Sequence, residues 1–472
     1  MTPIANKLTE LAALVDEEAK PTLAGYTQLP VGVTDVDQVV IPRYANGKTH
    51  PAGGLIGDGP AHVLRGSIMT PTLAVPAVVI TEDYATAEQS QWQSGSFEQP
   101  THLSAVLQPQ LRNLTISGHD ETASGYTKGG IVNTNVGQWT PASTHPDKFD
   151  LARIRASGPT IQGVRFYYAA GTCLTVSRGG GRMNGELLPF DNEKFLLADC
   201  TFQRAYRGCL LETVDGVIRN LSGQCLRDYG LKITGGAIQL EGSLHFWGVF
   251  GGSTAAIKSP AIWFAASAGP CWGGPMYPET SDIGLLIESS GNRFHGVYSH
   301  SCPHGSILLS GQRNVISGFE VHVAAGTTTK NGKPGILLAG QYHTLRDGHV
   351  NLADGETGIQ ITNGNHIAID GVTILGASKE ATGTGIEVKD TLNKSLIRAH
   401  VQWLGKGVGV SLWDGTKSTI GRGNTLLISH DESSMSAEAA VRLPPGWSTV
   451  PRSTTNDVRI NGRRQFPTQD EF

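Results

Sequence analysis

The stretch LLIESSGNRFHGVYSHSCPHGSILLSGQRNVISGFEVHVAAGTTTKNGKPGILLAGQYHTLRDGHVNLADGETGIQI, residues 285 to 361, decides the fold. An aliphatic triplet recurs in it and beyond it, beginning at Leu285, Ile307, Ile336, Ile359, Ile386 and Val410, with spacings of 22, 29, 23, 27 and 24 residues. A second apolar column follows two positions later at Ile287, Leu309, Leu338, Ile361, Val388 and Leu412. Apolar residues alternating with one other residue predict short strands with one buried face. Nine or ten residues on come Phe294, Ile316, Leu345, Ile369 and Leu396, and then the pairs Val297/Ser299, Phe319/Val321, Gly348/Val350, Val372/Ile374 and Ala399/Val401. These offsets hardly change while the unit length does. Insertions are therefore confined to one corner, in GTTTKNGKPG (326 to 335) and GASKEATGTG (376 to 385).

A unit of about 22 residues with two or three strands and Gly, Asn and Asp corners predicts one turn of a parallel β-helix, in which each rung buries its inward residues against the next. Leucine-rich repeats need an LxxLxLxxN core that is missing, and propeller blades need longer units with antiparallel hairpins. The same grammar runs upstream through LRNLTISG (111 to 118), TIQGVRFYYAAGTCLTV (160 to 176), FLLADCTFQRAYRGCLLET (195 to 213), VIRNLSGQCLRDYGLKIT (217 to 234) and the strand from 237. Cys173, Cys209 and Leu231 are expected in equivalent inward positions, so the thiols read as core fillers. Residues 1 to 52 form a capping or attachment segment, with Leu8, Leu11, Leu14 and Val15 on one face of a helix. The β-helix spans 53 to 430, and 431 to 472 form a C-terminal strap or tail.

Composition agrees. Gly is 60 of 472 residues and charged residues only 17%, a turn-rich, ion-pair-poor chain. The net charge of −4 gives no basic field for nucleic acid, and no apolar run is long enough to span a membrane. The N-terminus lacks a signal-peptide pattern, so synthesis in the cytoplasm is expected. Six cysteines without CxxC spacing indicate neither a zinc knuckle nor a disulfide framework.

The period of two then assigns the outward positions. Leu286, Leu308 and Leu337 stack into an apolar stripe, followed by Gln360, Glu387 and Ser411, and a loop, the C-terminal strap or a neighbouring subunit should cover it. A polar face carries Tyr298, Glu320, His349, Thr373 and His400 in one column and His300, His322, Asn351, Leu375 and Gln402 in the next. Glu320, His322, His349 and His300 are the catalytic candidates, because a carboxylate can orient an imidazole that titrates near neutrality. Tyr298, Asn351 and His400 are candidates for substrate binding. Three readings stay open: a solvated polar ladder, a glycan groove, or a metal site, although no metal-ligand motif is present and none is assigned. Arg178 and Arg182, on the Gly-rich insertion 176 to 194, are further binding candidates on a loop that could cover a groove. Asp199, Glu212, Asp215 and Asp228 offer carboxylates at turn positions, and the aromatic segment 246 to 277 with Trp247, Trp263 and Trp272 reads as a packed loop.

The rungs from about 53 to 430, with the Gly-rich opening GGLIGDGPAHVLRG (53 to 66), resemble the pectate-lyase-like β-helix superfamily, and within it bacteriophage tailspikes and related virion surface proteins. The calcium-binding aspartates and catalytic arginine of pectate lyases, and the GxD and DD carboxylates of polygalacturonases, have no counterparts at matching positions, so no cofactor is expected. The resemblance implies a right-handed parallel β-helix, and a homotrimer at the virion surface that contacts other virion proteins and binds or depolymerises bacterial surface polysaccharide. A non-enzymatic capsid decoration or fibre component, and a lyase or hydrolase of carbohydrate metabolism, are the alternatives.

Overall fold

A computed structural model describes residues 26–36, 39–41, 44–45, 48–49, 54–66, 79–81, 109–118, 150–156, 158–169, 171–178, 182–183, 186–187, 194–251, 258–376, 382–403, 407–413, 415, 419–431, 437–445 and 456–464. The expected N-terminal helix and the tip of the 176 to 194 insertion lie outside them. The chain divides into two compact units, Met1–Thr254 and Ala255–Phe472. Each is a parallel β-helix.

In the second unit the triplets stack as the period requires. Leu285 pairs with Ile307, Ile307 with Ile336, Ile336 with Ile359, Ile359 with Ile386, and Ile386 with Val410. These side chains are fully buried, each worth about 1.5–3 kcal/mol relative to exposure. The column also extends upstream to Ile262 and downstream to Val441. Segment 258 to 279 is therefore a rung, with strands Pro260–Phe264, Cys271–Gly273 and Met276–Glu279, rather than the packed loop its weak periodicity suggested.

The second column follows Phe294, Ile316, Leu345 and Ile369 as expected and then continues through Ile397, not Leu396. The reason lies at the corner. Gly296, Gly318, Asp347 and Gly371 form a column of left-handed residues that turns the chain between strands. The rung containing Ile397 lacks this residue, so one residue fewer separates its inward Ile397 and Ala399 than separates Ile369 and Val372, and the register shifts by one.

The first unit repeats the pattern. One inward column runs Leu55, Leu111, Ile161, Leu197, Ile218, Leu240. In another, the rings of Phe166 and Phe202 stack at 5.3 Å and those of Phe202 and Phe246 at 6.4 Å. Leu174, not Cys173, pairs with Cys209, and Cys209 pairs with Leu231. Cys173 is buried all the same. None of the six cysteines forms a disulfide, and burial pushes the Cys200 and Cys302 thiols up to about 12 and about 11. The parallel register extends beyond the expected 53 to 430 span. Tyr26–Gln28 pairs with Gly54–Ile56, and Asp457–Ile460 pairs with Thr425–His430.

Candidate functional site

The outward columns of the second unit fall into the expected register. Tyr298 pairs with Glu320, Glu320 with His349, His349 with Thr373 and Thr373 with His400. Beside them His300 pairs with His322, and His322 with Asn351. Rungs ~4.8 Å apart and an alternation of two residues along each strand turn these side chains into a grid on a flat sheet.

Within it two carboxylate–imidazole pairs lie side by side. His322 Nε2 is 2.7 Å from Glu320 Oε1, the two residues lying on the same face of one strand, and Asn351 Nδ2 is 3.4 Å from the same nitrogen. The shorter contact fixes Nε2 as the protonated nitrogen donating to the carboxylate. That leaves Nδ1 as the atom that can accept or deliver a proton. His300 Nε2 is 3.3 Å from Glu279 Oε2 on the preceding rung, and its Nδ1 is 3.0 Å from Ser301 Oγ. Tyr298 stands 5.7 Å from both imidazoles, measured between ring centroids, and 6.4 Å from Tyr277. Glu320 and His322 are 45% and 42% exposed and so accessible to a large ligand.

His349 is exposed at the edge of the grid beside Glu320. His400 is separated from it by the Thr373 rung and contacts Ser429 Oγ at 3.0 Å instead. Other histidines of this segment serve other faces: His343 is fully buried and His366 stacks on Tyr342. Glu279 and Tyr277 are the members that sequence reasoning missed. Their signal was present, since Tyr277-Pro278-Glu279 precedes Tyr298-Ser299-His300 by 21 residues.

Arg178 closes the strand Thr172–Arg178 in the first unit, and Arg182 opens the hairpin Arg182–Met183 with Glu186–Leu187. Their side chains lie outside the described residues. The carboxylates of the first unit do structural duty. Asp199 has a left-handed backbone and accepts from Asn220 Nδ2, Asp215 is also left-handed, Asp228 pairs with Arg207 at 2.7 Å, and Glu212 accepts from Ser177. The apolar stripe gains Trp263, which pairs with Leu286. It is less open than expected: Leu308 is only 8% exposed, and the turn at Gly305 packs against its Cδ2. Among the described residues no three His, Cys, Asp or Glu side chains converge on a metal position, and no helix is long and apolar enough to cross a membrane.

No family model and no curated protein matches the sequence. Solved structures do match. Pre-mature bacteriophage phi29 gene product 12 is 11% identical over 91% of this chain and 54% of its own length, with a TM-score of 0.45. Phage tailspikes are among these structures. Tailspike protein 2 of the Escherichia coli O157:H7 bacteriophage CAB120 is 11% identical over 93% of this chain and 42% of its own, with a TM-score of 0.30. The DFA-IIIase of Arthrobacter chlorophenolicus A6 is 11% identical over 84% and 88%, with a TM-score of 0.39. This β-helix thus spans about half the length of the two phage proteins, and the likeness is one of fold alone.

Proposed function

We propose that the chain is a surface protein of a phage virion, assembled as a homotrimer, whose histidine-rich face binds host surface polysaccharide. In the same reading the Glu320–His322 pair cleaves it by acid/base catalysis. The observation that carries this is the grid itself: two tyrosines, two carboxylate–imidazole pairs and an amide in register across four rungs, partly exposed on a flat sheet. Tyrosine rings offer apolar faces to sugar rings, and carboxylates, imidazoles and amides match hydroxyls that both donate and accept. A purely solvated ladder has no need for the 2.7 Å Glu320–His322 contact or for the rings drawn up beside it. The resemblance of the rung pattern supports the virion role and the trimer.

The experiment is to incubate the protein with capsule and lipopolysaccharide preparations from a panel of bacteria, measuring binding and release of oligosaccharide. One or more preparations should bind. Where oligosaccharide is released, Glu320→Gln should lower the rate by 10²-fold or more, the order of general acid–base catalysis, while binding stays within a few-fold. Release untouched by Glu320→Gln would remove the catalytic assignment. Absence of binding across the panel would leave a structural virion component.

A further inference from the structure

A second constellation lies on a corner of the second unit, in columns separate from the histidine face. Gln341, Asn365 and Asn393 occupy equivalent positions on three successive rungs, Gln341 paired with Asn365 and Asn365 with Asn393. The Asn393 Oδ1 accepts the backbone N–H of Arg422 at 2.9 Å, tying in a fourth rung. These amides line a cavity of about 440 Å³, within the size range of small-ligand sites. Asn363 and Thr391 add polar groups, and Lys394 and Arg422 add two cations, with no carboxylate in the lining.

In this unit Arg398, Lys389 and Arg459 each face a carboxylate, whereas among the described residues Arg293 and Arg346 do not. Among the described residues the Lys394 ammonium and Arg422 guanidinium have no such partner, and the side chains of Gln341, Asn363, Asn365 and Thr391 make no hydrogen bond. A stack of side chains runs alongside, outside the lining. Arg313, Tyr342, His366 and Lys394 share a left-handed backbone on successive rungs. The Arg313 guanidinium lies 5.5 Å from the Tyr342 ring centroid, and Tyr342 stacks on His366 at 4.7 Å and 15°. The stack ends at Lys394, whose side chain belongs to the cavity. Amides without protein partners, set side by side on successive rungs, keep their donors and acceptors available to a ligand.

We infer that this corner binds an acidic saccharide unit, the amides reading its ring hydroxyls and Lys394 with Arg422 holding its carboxylate. Each Asn or Gln side chain both donates and accepts, as a hydroxyl does. Two unpaired cations without a carboxylate select a negative charge. The lining carries no aromatic ring or aliphatic side chain to accept a nucleobase or lipid. The inference does not depend on the histidine face being a glycan site.

Nuclear magnetic resonance titration of the full chain with glucuronate, glucose and inorganic phosphate tests it. Glucuronate should bind at least tenfold more tightly than glucose or phosphate. The double variant Lys394→Gln/Arg422→Gln and the single Asn363→Asp, which places a carboxylate at an exposed left-handed position that Asp tolerates, should each weaken glucuronate at least tenfold. Both should leave the thermal unfolding midpoint unchanged, and Glu320→Gln should leave glucuronate binding intact. The inference fails if glucuronate does not bind, if the variants bind it like the wild type, or if Glu320→Gln abolishes binding. Phosphate binding as tightly as glucuronate would also overturn it, reducing the corner to an oxyanion site.

Discussion

His343 interrupts a ladder of buried asparagines. Upstream of it Asn314 Oδ1 accepts from the Asn292 backbone and Asn314 Nδ2 donates to the Ser289 carbonyl; downstream Asn424 and Asn456 repeat the arrangement through the carbonyls of Leu392 and Gly421. His343 is fully buried on the rung after Asn314, with Ile367 and Ser395 on the two rungs before Asn424, and neither of its ring nitrogens makes a well-formed hydrogen bond. Burial holds its pKa below the usual imidazole range, opposed in part by the Ala339 and Gly311 carbonyls. In the unfolded chain the ring takes up a proton as pH falls through about 6.5, while in the folded chain it resists doing so. Stability therefore decreases below that pH and is unaffected well above it. His343→Asn, whose amide can reach the Gly311 carbonyl as its neighbours in the ladder do theirs, should lessen the loss of melting temperature between pH 7.5 and 5. Some acid sensitivity remains through His304, which burial also holds low against the pull of Asp282. An unchanged pH slope in the variant would show that His343 does not set it.

At the scale of the strand, the rungs approach closely where the first triplet begins. A Cβ on Gly385 would lie 2.5 Å from the Gly409 carbonyl oxygen, and one on Gly409 would lie 2.5 Å from that of Ala440. These contacts are with backbone, which cannot swing aside. Gly385→Ala is thus expected to cost about 2 kcal/mol or more, read as a lower denaturant midpoint, whereas Ile359→Ala in the column alongside should cost about 2–5 kcal/mol. A wild-type midpoint for Gly385→Ala would mean that the rungs can separate there. The stacking of Ile307, Ile336 and Ile359, and with it the Tyr298–Glu320–His349 and His300–His322–Asn351 columns, was legible in the sequence because alternation and constant offsets leave one register. Ile397 was misassigned because the loss of a left-handed corner residue leaves no mark in an apolar pattern. Glu279 and Tyr277 went unnoticed because Gly-rich, aromatic neighbours hid their rung. The amide corner was invisible because turn residues such as Asn and Gly read as punctuation, and their convergence shows only once the coils are stacked.

For the molecule as a whole, assembly is the open quantity. Trp263, Leu286, Leu308 and Leu337 form a stripe across four rungs, half-covered by its own turns. If three copies meet along it, sedimentation velocity will show a species of three 50.0 kDa chains, and Leu286→Glu/Leu337→Glu will return it to the single chain. A wild type that sediments as one chain at micromolar concentration would dispose of the trimer. A wild-type trimer that survives the double substitution would move the contact to another face.

The insertion 326 to 335 lengthens one coil by several residues, yet Ile336 still sits over Ile307 and His349 beside Glu320. Loop length and face geometry are consequently insulated from each other. Such a scaffold can exchange the rims that choose its target by insertion and deletion, the crudest kind of genetic change, without disturbing the chemistry laid out on its walls.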